Sequence, residues 1–207
     1  MTPRLAISLP ALAAAGTLLL GACASSVPTH YHSLLEASAE TMAAGSSAAF
    51  LIDVQPVGIP AQVDRPQLVV RDGGGVLPLE QERWIAPLAD EARAALSADL
   101  SRELATTDVA GQPRPADARV LGIKIDLRRF DSVPGAYAAV DAVWSLGIND
   151  AKSSPLVCTS SAREVAGQGY AELVRAHRQA LAAIASRIAS AARSYVAAGK
   201  GVCPADR

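Results

Sequence analysis

The chain is 207 residues long, with 19 Lys+Arg against 20 Asp+Glu and a formal net charge of −1. Near-neutrality without a run of like charge excludes a protein built to grip nucleic acid. Half the residues are hydrophobic but only 4% are aromatic, so Ala, Val, Leu and Ile must fill most of the core.

Residues 1–22 read as an export signal and are set apart from the fold. Arg4 gives a short positive start, no acidic residue precedes Cys23, and residues 5–20 are almost wholly apolar. Ser8, Pro10, Gly16 and Thr17 interrupt that stretch, and its shortness and breaks weigh against a permanent spanning helix. It ends in Leu20-Gly21-Ala22-Cys23, which resembles the lipobox of bacterial lipoproteins. Small residues let the backbone lie extended in the peptidase groove, and the Cys23 thiol carries the lipid. Two alternatives stay open. Ala22-Cys23-Ala24 also fits ordinary small-x-small cleavage, which would release a soluble protein, and the segment could remain as an uncleaved anchor. Ala24 stands where lipoproteins kept in the inner membrane usually carry Asp, so the resemblance implies the outer membrane, facing the periplasm.

Removing residues 1–22 from 207 leaves 185, enough for one domain with a real core. Three cysteines are odd for an exported protein. Lipidation of Cys23 leaves Cys158 and Cys203 as an even pair, and an oxidising periplasm favours a Cys158–Cys203 disulfide. Two unpaired thiols, with Cys158 a small buried residue, are the alternative.

Residues 23–49 read as a lipidated tether, with a short first strand at 31–34 and a mobile Ala/Ser/Gly loop at 36–49 in which 34–44 could form a weak helical turn. A single domain is expected over 50–207. Phe50, Ile52 and Val54 alternate with polar or outward residues, a half-buried strand stopped by Pro56 and Gly58-Ile59-Pro60. Residues 67–71 and 76–80 form a hairpin across Asp72-Gly73-Gly74-Gly75, and Pro78 marks the return strand as an edge.

From 84 to 104 the period becomes helical. Ile85, Leu88, Ala92, Leu96, Leu100 and Leu104 share one face, with Pro87 tolerated in the first turn. Residues 108–118 are a Pro-bearing loop. Leu121, Ile123, Ile125 and Leu127 then give the cleanest strand alternation in the chain. A turn at Pro134-Gly135 leads to Ala138, Val140, Ala142, Trp144, Leu146 and Ile148 on one strand face. Residues 149–155 turn again and 156–165 return, an antiparallel meander. The last element is a helix over 170–198, with Tyr170, Leu173, His177, Leu181, Ile184, Ile188, Ala191 and Tyr195 in its apolar stripe and Gly199 and Gly201 ending it. Together these predict an α+β domain: a mixed, mostly antiparallel sheet of five or six strands with two amphipathic helices on one face.

Ile59-Pro60, Asp64-Arg65-Pro66-Gln67-Leu68-Val69-Val70-Arg71, Arg83-Trp84 and Pro87-Leu88 resemble the ABC-type transport auxiliary lipoproteins, the PqiC/YmbA-like family (DUF330). The order of strands and helices behind a lipobox matches as well. The family often has a second aromatic where His32 stands and an acidic residue where Ala86 stands, so neither position is assigned a contact. The resemblance implies a non-catalytic role in lipid traffic across the periplasm. The partners it implies are an MCE-domain protein and its inner-membrane permease, with the lipoprotein docked at the distal end, in one arrangement as a homo-oligomeric ring. Asp64, Arg65, Pro66, Arg71, Arg83 and Trp84 are the candidate docking motif. Each also has a structural reading: the arginines as surface partners of Asp64, Asp72 or Glu80, Trp84 as a packing anchor, Pro66 as punctuation.

Nothing in the sequence assembles an active site. There is no Gly-x-Ser-x-Gly elbow and no phosphate loop; Gly73-Gly74-Gly75 does not open a helix, and Gly167-Gln168-Gly169 lacks a dinucleotide fingerprint. His30 and His32 lie two apart and share a strand face, a weak basis for a metal. His177 falls in an apolar stripe and reads as a core residue. The expectation is a protein without catalytic residues, metal or cofactor. The rival reading is an envelope assembly or integrity lipoprotein that binds protein or peptidoglycan without moving lipid.

Overall fold

The computed structural model describes residues 27–35, 49–114, 117–148 and 154–205. The export signal, Cys23, Ala24, the loop at 36–48 and most of the turn expected at 149–155 lie outside the described residues.

Among the described residues, seven strands and two helices follow in the order β1 (His30–His32), β2 (Leu51–Val54), β3 (Gln67–Asp72), β4 (Gly75–Trp84), α1 (Leu88–Leu104), β5 (Val120–Val133), β6 (Tyr137–Ile148), β7 (Leu156–Val165) and α2 (Tyr170–Ala198). The class is α+β, but the strands divide into two sheets instead of the one expected. A three-stranded sheet has the order β1-β4-β3, and a four-stranded sheet has the order β2-β5-β6-β7. The meander β5-β6-β7 is antiparallel, while β1 pairs with β4 and β2 with β5 in parallel.

Three local features account for the departures from the sequence pattern. β4 runs to Trp84, so Trp84 ends a strand and does not start a helix; α1 begins at Leu88 behind Pro87 as its N-cap residue. Ile85, assigned to the helical stripe, is instead 60% exposed between the two elements. Pro78 sits in a strand that is central where β1 pairs with residues 82–84. At Pro78 the strand has β3 alone as neighbour, so the edge reading holds there and fails farther along. In β5 a bulge between Leu127 and Arg129 adds a residue and shifts the alternation. Ile123, Ile125 and Leu127 are buried before it, Phe130 and Ser132 after it. The strand therefore continues six residues past Leu127, where its odd-numbered pattern ends.

The helices and sheets enclose one core. α2 packs on β6 and β7, and α1 packs on α2 and reaches β2. Leu173, Leu181, Ile184, Ile188 and Tyr195 of α2 are fully buried, as are Val140, Trp144 and Leu146 of β6 to within 1%. Ala92, Ala95, Ala180, Ala185, Ala189 and Ala192 are also buried; side chains this small let the two helix backbones approach closely, as the composition required. The Trp144 indole N–H, buried in this core, donates to Ser160 Oγ at 3.0 Å, which satisfies its one donor. Cys158 and Cys203 form a disulfide with their Cα atoms 5.5 Å apart, tying the segment after α2 back to the edge strand β7.

Candidate functional site

The residues of the candidate docking motif lie in and around the β3–β4 hairpin, but they do not form one surface. Pro60 starts a turn whose carbonyl accepts the amides of Val63 and Asp64. This leaves Asp64, Arg65 and Pro66 exposed above a buried Val63. The Trp84 amide donates to the Pro66 carbonyl at 2.9 Å, so the turn is fastened to the end of β4. Trp84 itself points inward: it is 3% exposed and meets Phe130 edge to face at 6.2 Å. It is a packing anchor. Arg83, its neighbour, lies on the other face and folds back onto Glu80, donating to the backbone carbonyl at 3.1 Å and to the carboxylate at 3.4 Å.

Arg71 is drawn away from the motif and into a charge cluster. Its Nε and Nη2 donate to Asp131 Oδ1 at 2.9 and 2.6 Å, while Arg129 Nε donates to Asp131 Oδ2 at 2.7 Å. Burial works against ionisation of Asp131. The hydrogen bonds from Arg129 and Arg71 outweigh it and hold the carboxyl below its ordinary 3.8. The hydrogen bond to Asp131 likewise raises Arg129. One carboxylate thus locks the hairpin strand β3 to β5 of the other sheet.

Behind this cluster His177 is completely buried in α2. Its ring stacks on Phe130 with centroids 3.9 Å apart and planes 2° from parallel, and its Nε2 shares a 2.8 Å hydrogen bond with Ser132 Oγ. Burial pushes its pKa down to about 3, which keeps the imidazole neutral. His177 Nδ1 is buried without a partner. The side chain is closed off between Phe130 and Ser132, so it acts in packing, as its place in the apolar stripe suggested.

The N-terminal segment carries contacts that no spacing in the sequence disclosed. β1 is only three residues long, yet four kinds of contact hold it and the turn that follows. The strand pairs with residues 82–84 of β4. His30 Nδ1 and His32 Nε2 approach the two oxygens of Glu82 at 2.8 and 2.5 Å. Glu91 of α1 accepts Ser33 Oγ–H and the Leu34 N–H, both at 2.7 Å. Arg178 of α2 donates to the Ser33 carbonyl at 3.0 and 2.6 Å. Burial opposes ionisation of Glu82, but the hydrogen bonds from His30 and His32 prevail and lower its pKa from 4.5. Both histidines therefore serve one carboxylate, and among the described residues no group of three His, Cys, Asp or Glu is placed to hold a metal ion. The only sequence signal for this anchorage was a carboxylate, Glu91, directly before Ala92 in the apolar stripe of α1.

An open depression of about 330 Å³ lies along β6, β7 and α2, lined by Arg129, Asp141, Ser161, Arg163, Glu164 and Arg187 among others. The Arg163 guanidinium sits 3.5 Å above the Tyr137 ring, and Arg129 Nη1 lies 3.7 Å from Asp141. Such a charged lining suits a polar surface and not an acyl chain. Among the described residues no helix is long and apolar enough to cross a membrane.

The family model for the ABC-type transport auxiliary lipoprotein component matches residues 32–189. One solved structure, of an uncharacterized protein, superposes with a TM-score of 0.63 at 20% identity and covers 79% of this chain and 98% of its own. Another, a protein from Xanthomonas campestris of the DUF330 family, gives a TM-score of 0.52 at 17% identity over 70% of this chain and 85% of its own. At these identities the likeness is one of fold. No curated protein matches the chain in sequence.

Proposed function

The chain belongs to the ABC-type transport auxiliary lipoprotein family, and from that membership we propose that it is a non-catalytic component of an MCE-type lipid transport system, anchored to the outer membrane by lipid on Cys23. The carrying observation is the extent of the match, residues 32–189, which takes in every element from the end of β1 into α2. The anchorage of β1 supports the same reading. A protein held by its N-terminus must pass any load from the tether into its fold, and Ser33 and Leu34 are fastened to both helices through Glu91 and Arg178.

In this role the domain docks the distal end of an MCE-domain protein whose permease sits in the inner membrane, as a single copy or as a ring of copies. Asp64, Arg65 and Pro66 form the exposed turn of the motif and are the residues assigned to that contact. Trp84 from the core, and Arg71 through its bonds to Asp131, support it by fixing the turn and the hairpin. The proposed role needs no turnover: Ser132 and His177, hydrogen-bonded at 2.8 Å, are both closed within the core.

The test is cross-linking and co-purification of the lipidated protein from membranes. Capture of an MCE-domain protein, lost on Arg65→Glu at unchanged thermal stability, supports the proposal. Capture of only peptidoglycan or outer-membrane assembly proteins overturns it and favours an envelope-integrity role.

A further inference from the structure

Ile85 breaks the apolar stripe expected of α1 and is left 60% exposed. It has a companion. Tyr31, 61% exposed, stands opposite Arg83 in the parallel β1–β4 pairing, and the Ile85 amide donates to the His32 carbonyl at 2.9 Å. Side chains two apart on a strand share a face, so Tyr31, Arg83 and Ile85 point the same way. His32, Glu82 and Trp84 occupy the opposite face and turn inward, with the exposed His30 at its rim. The outward face therefore holds an aromatic ring with a polar tip, a branched aliphatic side chain and an arginine already neutralised by Glu80.

We propose that this face is a second membrane contact: Tyr31 and Ile85 rest in the interface of the same leaflet that holds the Cys23 lipid. The proposal rests on the anchored-lipoprotein reading above. Three observations select a lipid surface as the occupant. The eight steps from Cys23 to Tyr31 span at most about 26–29 Å even when fully extended. That is shorter than α2, whose 29 residues run for about 43 Å, so the β1 end of the domain is kept close to the bilayer. Next, the patch is small. Two side chains cannot supply the roughly 800 Å² per partner of a stable protein interface, whereas an anchored protein needs only a modest apolar addition to fix its orientation. Finally, Tyr carries its ring in apolar surroundings and its hydroxyl in water, the arrangement that the headgroup region rewards. Because Arg83 is paired with Glu80, the contact depends on apolar insertion and not on anionic lipid.

Full-length lipidated protein in phosphatidylcholine vesicles with brominated acyl chains tests this. Tyr31→Trp places a reporter on the face, and Val202→Trp places one at a residue 82% exposed beyond the far end of α2. Trp84 and Trp144 are buried in both variants and give a common background measured on the parent protein. The expected result is strong quenching of Tyr31→Trp and none of Val202→Trp, with quenching reduced several-fold when Ile85→Ser is added. Equal emission of the two reporters overturns the proposal. So does shielding of Tyr31→Trp that grows with protein density at constant lipid, which assigns the face to a second copy. Mass spectrometry of the N-terminal peptide from the same vesicles reports the Cys23 lipid separately, so failure of the anchor and failure of the face contact are distinguishable.

Discussion

Glu91 on α1 accepts the backbone N–H of Leu34 at 2.7 Å, joining residues 57 apart in sequence. The carboxylate is 4% exposed and also takes the Ser33 hydroxyl. Removing it leaves a buried amide with no acceptor, a loss of about 1–3 kcal/mol. Glu91→Ala is therefore expected to lower the urea midpoint with little change in m-value. Glu91→Gln, which keeps a carbonyl acceptor, should recover part of the loss. Hydrogen exchange at Leu34 should rise in the alanine variant before exchange in α2 does. Equal protection of Leu34 in the parent and Glu91→Ala would show that the contact is not what holds the tether.

The Cys158–Cys203 disulfide closes a separation of 45 residues. In the chain-entropy model a loop of that length contributes about 4 kcal/mol by restricting the unfolded chain, and less where the native state is strained. Cys203→Ser is expected to lose 2–4 kcal/mol, on the order of that model, by guanidinium unfolding under oxidising conditions. Adding reductant to the parent should produce the same shift, and adding it to the variant should produce none. Cys158→Ser should cost somewhat more, because Cys158 is 4% exposed in the core and a hydroxyl there needs a partner.

Asp131 joins Arg71 of β3 to Arg129 of its own strand while its side chain is only 8% exposed. Its two partners are each more than a third exposed, so solvent offsets much of what a fully buried pair would contribute. Asp131→Asn is expected to cost about 2 kcal/mol, because both guanidiniums lose their carboxylate. Arg71→Ala should cost less, since Arg129 continues to satisfy Asp131. A double-mutant cycle over Arg71 and Asp131 measures the coupling directly. Zero coupling would mean that β3 is held by core packing of Leu68, Val69 and Val70 and not by the charge cluster.

Much of the fold was legible because its longest elements carry unambiguous periods. Helix α2 follows a 3.6-residue stripe from Leu173 to Tyr195, and β6 alternates without a break from Ala138 to Ile148. The bulge after Leu127 hid the second half of β5, since one added residue moves every later side chain to the other face. The division into two sheets was hidden for a different reason. Strand β1 has three residues, too few to show a period, and its partner residues 82–84 lie 52 positions away. The candidate docking residues fall in and around the hairpin, but sequence could not sort them by direction. Arg65 faces solvent, Trp84 faces the core and Arg71 faces Asp131, and only the register and the bulges decide which. Glu91 and Arg178, which fasten the tether, were missed because their partners, apart from the Ser33 hydroxyl, are backbone groups of Ser33 and Leu34, and a backbone group leaves no trace in residue identity.

His177 gives the fold a distinct response to acid. Burial pushes its pKa from 6.5 to about 3, so below pH 6.5 the unfolded chain binds a proton that the native state does not. Stability should therefore be full above pH 6.5 and fall as pH drops from there toward 3, by up to about 1.4 kcal/mol per pH unit from this one group. Asp131 and Glu82 have the opposite character: their carboxyls are held below 3.8 and 4.5, and they withdraw stability only as pH falls below those values. The interval from pH 6.5 to 4.5 thus isolates His177 from both. Replacing it by His177→Gln keeps a hydrogen-bonding group near Ser132 but removes the titration. The variant should be less stable at pH 7, because the ring stacked on Phe130 is lost, yet its stability should vary less across that interval. Urea unfolding at half-unit pH steps measures both slopes. Identical slopes in the two proteins would mean that His177 takes up its proton without unfolding, which its position between Phe130 and Ser132 in a closed core argues against.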